Sequence, residues 1–157
     1  MPDALFVHFD PIEGETSDYS WSQFDNRVNQ TAHMLASLGV TSGDKVNLHL
    51  TNCMEFLFLW FAAAKLGAVI MPTNVAASAD ELEYLISHSE SRLIFTQGDH
   101  LDTARDVKAR CDSVEKIILC GPGAADTNEL RFDDSLQAQP TTPPQAECKA
   151  EDEVAIL

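Results

Sequence analysis

With 157 residues, 45% of them hydrophobic and 22% charged, the chain has the size and composition of a globular domain that buries a sizeable core. Ten Lys and Arg against 25 Asp and Glu leave a formal charge of −15, and no basic cluster interrupts it. Such a surface repels phosphodiester backbones and anionic lipid, which argues against nucleic acid and membrane surfaces as partners.

The opening residues MPDALFVHFD contain no basic stretch leading into a long apolar one, so neither a signal peptide nor a membrane span is predicted. Leu5 to Phe9 reads as a strand. Asp10-Pro11 and Gly14 mark a turn, and Thr16 to Tyr19 reads as the returning strand of a hairpin. Ser20 and Gln23 have the spacing of a capping box, in which each side chain satisfies a backbone N–H of the other. Trp21, Phe24, Val28, Ala32, Leu35 and Leu38 then recur at threes and fours, so an amphipathic helix running to Gly39 is expected. Thr41-Ser42-Gly43-Asp44-Lys45 has the composition of a phosphate-binding loop. It leads from a helix into a strand rather than the reverse, and Asp44 would repel phosphate, so it reads as a turn.

Val46 to Leu50 alternates apolar with polar and predicts a short strand. A helix is expected from Asn52 to Leu66, with Asn52 and Glu55 as a second capping box and Gly67 as its left-handed terminator. Phe56 to Ala64 is apolar throughout. Such a helix must be covered on all sides, so Trp60 and Phe61 are both expected to be buried; nine residues fall far short of the roughly 20 that span a bilayer. Ala68 to Met71 is a further apolar run, stopped by Pro72. Ser78 and Glu81 give a third capping box before a helix whose inward face is Leu82, Leu85 and Ile86. Leu93 to Thr96 reads as a strand, Leu101, Ala104 and Val107 as one helical face, and Ile117 to Cys120 as another strand. The alternation predicts an α/β fold: a mostly parallel sheet with helices on both faces, built from βαβ repeats. The divisions are a hairpin over 1–19, a βαβ core over 20–120, a surface loop over 121–152 with a turn of helix at Phe132 to Leu136, and the start of a strand over 153–157.

The run GDKVNLHLTNCMEFLFLWFAAAKLGAVIMPTN, residues 43–74, resembles the opening βαβ unit of AMP-forming acyl-CoA synthetases, the adenylate-forming superfamily. Its order of Gly-Asp-Lys-Val, Asn-Cys before an acidic helix start, Phe and Trp within the helix, Ala-Lys-Leu-Gly-Ala and Pro-x-Asn is most similar to crotonobetaine/carnitine-CoA ligases. The resemblance covers about residues 18–157 and is one of scaffold. It implies an N-terminal portion of a ligase that joins a carboxylic acid to CoA thiol through an acyl-AMP. ATP, Mg and CoA are the cofactors implied for the intact enzyme and none for these residues alone. The implied partners are the rest of the same polypeptide and a small carboxylic acid: a carnitine-like betaine first, a fatty or aryl acid otherwise. In such ligases the phosphate loop begins immediately after the strand that Val154 to Leu157 resembles, so the aromatic-Gly-x-Thr-Glu segment, the ribose-binding Asp and the catalytic Lys are expected beyond residue 157. Many relatives carry a basic residue, able to face CoA phosphates, at the position of Ala76.

No catalytic, cofactor-binding or metal-binding residue is assigned. Cys53, Cys111, Cys120 and Cys148 lack CxxC or Cys/His spacing and read as reduced thiols of a cytoplasmic protein. His8, His33, His49, His88 and His100 stand in no nucleophile context and read as surface or satisfied core groups. Asp133-Asp134 and Glu151-Asp152-Glu153 read as solvated loop charges. A self-standing flavodoxin-like or interaction module is the competing reading, since a parallel sheet alone does not decide function. The last strand's open edge predicts self-association as a homodimer.

Overall fold

Strand β3, Lys45–His49, sits inside the sheet and is buried along almost its whole length. It pairs in parallel with β4, Val69–Pro72, on one side and with β5, Leu93–Gln97, on the other. Strand β6, Lys116–Cys120, pairs with β5, and the two-residue β7, Leu130–Arg131, pairs with β6, giving the order β4-β3-β5-β6-β7, all parallel. The coordinates are a computed structural model that describes residues 1–12, 14–123, 127–146, 148–149 and 151–157. The expected α/β sheet with helices on both faces and a preceding hairpin is what forms. The hairpin is β1, Leu5–Phe9, antiparallel to β2, Ser17–Ser20, with an irregularity between Leu5 and Val7.

The helices divide between the faces because the chain changes direction. From β3 it crosses through α2, Met54–Leu66, to β4 at the edge; from β4 it returns through α3, Ala79–Ser89, past β3 to β5, and then through α4, Leu101–Arg110, to β6. Parallel crossovers share one hand, so reversing the direction of travel moves the helix to the opposite face. Val46, Leu48, Ile70, Leu93, Phe95 and Ile118 pack with α2, with α1, Trp21–Ser37, and with α5, Phe132–Leu136. Met71, Ile94, Ile117 and Leu119 pack with α3 and α4 on the other side.

Local signals set the helix boundaries. The Ser20–Gln23 and Ser78–Glu81 capping boxes both form, with the N-cap hydroxyl taking the N3 backbone N–H and the N3 side chain returning to the cap. Gly67 ends α2 at φ 68°, where a Cβ would come within 2.8 Å of Ser42 Oγ. The Thr41–Asp44 stretch is a turn as expected. Asp44 accepts from the Thr41 N–H at 2.7 Å and from its hydroxyl at 2.9 Å, and it pairs with Arg92 at 2.6 Å. Burial works against the Asp44 charge, but these donors hold its carboxyl below the usual aspartate range.

Four expectations are corrected. The Asn52–Glu55 capping box does not form: α2 starts at Met54, two residues after Asn52, with Cys53 at the cap in an extended conformation and no side-chain cap hydrogen bond, and the Glu55 charge falls in the first turn, where the helix dipole favours it. Phe61 is 44% exposed and Trp60 half-buried, because α1 and the sheet cover α2 on two sides only. Leu85 is 40% exposed, since Leu82 and Ile86, one turn apart, define the buried line of α3 and Leu85 lies off it. Val154 to Leu157 does not form a strand: one parallel bridge, Ile70 to Ala155, is made on the outer edge of β4.

The burial pattern of α2 has a measurable consequence. Phe58 is 4% exposed, between Tyr19 and Phe24 with ring centroids 5.4 Å from each. Phe58→Ala should cost about 3–5 kcal/mol in urea unfolding through the cavity it leaves, and Phe61→Ala about 1 kcal/mol or less. Equal losses would mean that α2 is covered on the Phe61 side as well.

Candidate functional site at the carboxyl edge of the sheet

In an open parallel sheet the crevice outside the carboxyl ends opens where successive connections leave in opposite directions. Here that place lies between β3 and β5, since the chain leaves β3 toward β4 and leaves β5 toward β6. A hollow of about 220 Å³ occupies it, lined by Thr51 after β3, by Gln97 at the end of β5 and Gly98 to His100 after it, and by Cys120 at the end of β6 and Pro122 after it. Gln97 bridges the crevice: its Oε1 accepts from the Thr51 N–H at 3.0 Å and from the Thr51 hydroxyl at 2.9 Å. A larger hollow of about 630 Å³ shares Thr51 with it, is lined also by Asn52 and reaches the hairpin turn at Phe9 to Ile12.

Behind the crevice, on the α3–α4 face, the sheet carries a buried polar group of side chains. Asn47 and His49, two apart on β3, point to that face; Ile94 and Thr96 are their register partners on β5. The Asn47 amide donates to the Met71 carbonyl at 3.0 Å and to Thr73 Oγ1 at 3.1 Å, which fixes which end of the amide is nitrogen. Thr73 Oγ1 is also 3.2 Å from His49 Nδ1. Asn47, His49 and Thr96 are each 0% exposed, and Asn47 Oδ1, His49 Nε2 and Thr96 Oγ1 have no protein partner. The His49 ring stands nearly perpendicular to that of His100, with centroids 5.5 Å apart. Burial, and secondarily the neighbouring His100, push the His49 pKa down to about 4, so the ring is neutral at pH 7.

The remaining candidates are dispersed. His8 pairs with Asp18 at 2.6 Å on the hairpin, His33 donates to the Thr142 carbonyl at 2.9 Å, and His88 stacks on Tyr84. Burial, reinforced by the Glu55 charge, pushes the Cys53 thiol up to about 12, and burial raises Cys120 well above its ordinary value; neither is a thiolate nucleophile. Asp133 and Asp134 are exposed in the first turn of α5 rather than in a loop. Among the described residues no three His, Cys, Asp or Glu side chains converge on a metal site, and no helix is long and apolar enough to cross a membrane. Ala76 donates its N–H to Asn74 Oδ1, and the groove beside it is lined by Asp80 and Glu81 with no Lys or Arg. Among the described residues no Lys or Arg lines the two carboxyl-edge hollows either. These surfaces do not fit the phosphates of ATP or CoA.

A protein-family model described as AMP-binding enzyme matches residues 1–157, the whole chain. The chain belongs to the AMP-binding enzyme family. Among family members, the crotonobetaine/carnitine–CoA ligase of Citrobacter koseri is 32% identical over 136 residues, 85% of this chain and 26% of the relative. That of Salmonella paratyphi A is 34% identical over 138 residues, covering 87% and 27%. An anthranilate CoA ligase crystallised with anthranoyl-AMP superposes with a TM-score of 0.82 at 27% identity, over 88% of this chain and 27% of its own. A Brucella canis acyl-CoA synthetase shares the fold, with a TM-score of 0.84 over 98% of this chain and 28% of its own at 17% identity. The chain thus spans about a quarter of the length of these relatives. Across that quarter the match is one of architecture: sheet, hairpin and flanking helices.

The histidine reading needs one correction. His49 is a core group, but only its Nδ1 side is satisfied. The crevice itself was missed in the sequence, although Thr96-Gln97-Gly98-Asp99-His100, polar residues directly after an apolar strand in a βαβ pattern, were the available signal.

The buried imidazole sets a pH dependence. Its pKa in the folded chain lies below the 6.5 of an exposed histidine, so its contribution to stability is complete above pH 6.5 and is lost as pH falls toward 4. The full loss is about 3 kcal/mol. Carboxylates held low by their partners, such as Asp44 and Glu115, add losses in the same direction only at lower pH. Urea unfolding between pH 7 and pH 5 should therefore show a stability slope that His49→Gln flattens. An unchanged slope in the variant would place the titrating group elsewhere.

Proposed function

We propose that this chain forms the N-terminal scaffold of an AMP-forming acyl-CoA ligase, which converts a carboxylic acid, ATP and CoA into acyl-CoA, AMP and pyrophosphate. Family membership and the named relatives support the reaction class. The observation that carries the scaffold role is the bridge at the edge of β4: Ile70 donates its N–H to the Val154 carbonyl at 3.0 Å, and Ile156 donates to the Ile70 carbonyl at 2.9 Å. Because that pairing is parallel, the chain runs past Ile156 toward the same carboxyl edge at which β3, β4 and β5 end. In the resembling ligases the phosphate loop begins directly after the strand that Val154 to Leu157 resembles. The sheet then serves to aim that loop, and the remainder of the polypeptide is the partner that brings ATP, Mg and CoA.

L-Carnitine or crotonobetaine is the first choice of acid, on the strength of the relatives at 32–34% identity. The groove at Ala76, acidic where many relatives are basic, plays no part in holding CoA phosphates. The exposed side chains of Val154, Ile156 and Leu157 make the edge beyond this segment the place where a second copy would add, which sedimentation of the 157-residue chain would reveal.

Residues 1–157 alone should neither bind MgATP nor exchange pyrophosphate into ATP with any carboxylate, since the preorganised cations and N–H donors that phosphoryl chemistry needs are not gathered here. A longer polypeptide that extends this chain through the phosphate loop and C-terminal lysine should do both, with L-carnitine or crotonobetaine. Titration calorimetry and pyrophosphate exchange make the comparison. Micromolar MgATP binding by the 157 residues, or no acyl-AMP from the longer protein with any of the acids tried, would overturn the proposal.

A further inference from the structure

Three polar atoms on the α3–α4 face of the sheet have no hydrogen-bond partner among the described residues: Asn47 Oδ1, His49 Nε2 and Thr96 Oγ1. All three residues are fully buried. They stand on neighbouring strands. Asn47 and His49, two apart on β3, share a face, and Thr96 is the register partner of His49 on β5. Paired strands lie about 4.8 Å apart and two residues along a strand span about 6.6 Å, so the three side chains project into one small volume. The hydrogen bonds that do form orient two of them. The Asn47 amide nitrogen and His49 Nδ1 both meet Thr73 Oγ1, at 3.1 and 3.2 Å, on the β4 side of β3. Oδ1 and Nε2, the other polar ends of the same groups, are left turned from Thr73. Met71 and Ile94 flank Asn47 in register on either side and offer no polar side chain. Buried polar atoms left unbonded cost free energy, and in folded proteins such atoms are met by a partner or by ordered water.

We propose that Asn47, His49 and Thr96 bind one water molecule inside the protein, between β3 and β5. The chemistry of the three atoms selects the ligand. Oδ1 only accepts, the hydroxyl both gives and takes, and Nε2 does one or the other according to the ring tautomer. Water serves either tautomer. Where Nε2 carries the proton, the water accepts it and donates to Oδ1 and to the threonine oxygen. Where Nε2 carries the lone pair, the water donates to it and to Oδ1 and accepts from the threonine hydroxyl. An ion would be held in a fully buried place by neutral groups alone, which do not offset its lost hydration. Among the described residues no three His, Cys, Asp or Glu converge to hold a metal. The water would join β5 to β3 as Thr73 joins β4 to β3, so that polar links cross all three strands beneath the carboxyl edge. The site lies on these 157 residues and is independent of the ligase reading.

The test is a crystal structure of the 157-residue protein at a resolution that shows ordered water, joined to oxygen-17 magnetic relaxation dispersion in solution, which responds to waters held inside a protein for longer than it takes to tumble. The crystal should show one density peak at hydrogen-bond distance, about 2.7–3.2 Å, from His49 Nε2, Thr96 Oγ1 and Asn47 Oδ1. Thr96→Val, which keeps the side chain's shape and removes the hydroxyl, should lower the dispersion amplitude by the contribution of one water. Thr31→Val is the control: Thr31 is equally buried, but its hydroxyl already donates to the Arg27 carbonyl at 2.8 Å, so the amplitude should not change. The spread of each variant's NMR spectrum reports that it is folded, and the crystal of the unaltered protein needs no variant. Absence of the peak, an unchanged amplitude in folded Thr96→Val, or an equal fall in folded Thr31→Val would each overturn the site.

Discussion

Strand β3 is the constraint on which the rest of the molecule depends. It is hydrogen-bonded on both sides, by β4 and by β5, and covered on both faces, by α1 and α2 on one and by α3 and α4 on the other. Its odd and even positions therefore meet different demands. Val46 and Leu48 feed the larger apolar core with Phe58, Leu59 and Phe95. Asn47 and His49 face the smaller core, where polar groups must find partners or remain unsatisfied. Asn47 finds its partners across β4, at the Met71 carbonyl and at Thr73, so the hydrogen bonds that relieve its burial also tie β4 to β3 at their carboxyl ends. That end is where the crevice opens and where the segment after Ile156 is directed.

Much of this was legible in the sequence because the signals are local. Alternating apolar runs, two Ser-based capping boxes and a glycine in the left-handed region mark elements within a few residues of themselves, and the β–α repetition follows from their order. The features that were not legible depend on contacts distant in sequence. The segment 139–142 is strapped to α1 by Asn29 to the Thr141 carbonyl, Gln30 to that of Gln139 and His33 to that of Thr142, partners more than a hundred residues apart. Strand β7 is two residues long and has no period to detect. The exposure of Phe61 follows from which sides of α2 its neighbours occupy, something an apolar run does not encode. The Asn52–Glu55 spacing satisfied the pattern of a cap, but the backbone placed Cys53 at that position.

The candidate site follows the same division. Gln97 and His100 are visible in the sequence, yet their role depends on Thr51, which lies 46 residues from Gln97, being brought to the same edge by parallel pairing. The charge of −15 shapes the site too. The basic side chains that most often meet carboxylates are engaged in structure: Arg92 ties Asp44, Glu115 and the Gly39 carbonyl together, and Arg105 and Arg110 pair with acids of neighbouring elements. The groups left along the carboxyl edge include an amide, a hydroxyl and an imidazole, with no Lys or Arg among the described residues. Membership of the AMP-binding enzyme family gives this edge its significance, since the chain accounts for about a quarter of its relatives and its last ordered pairing leads toward that edge.

The parallel bridge between residues 154–156 and β4 carries the scaffold role most directly. Native-state hydrogen exchange of the 157-residue chain tests it, because the Ile70 and Ile156 amides are bonded only across that bridge. The two amides should be protected together, exchanging about tenfold or more slowly than an unstructured peptide and opening in one step. Exchange of Ile156 and Ile70 at the unstructured rate, with β3 and β5 still protected, would mean that the segment does not dock on β4 and that the sheet does not aim the chain beyond Ile156.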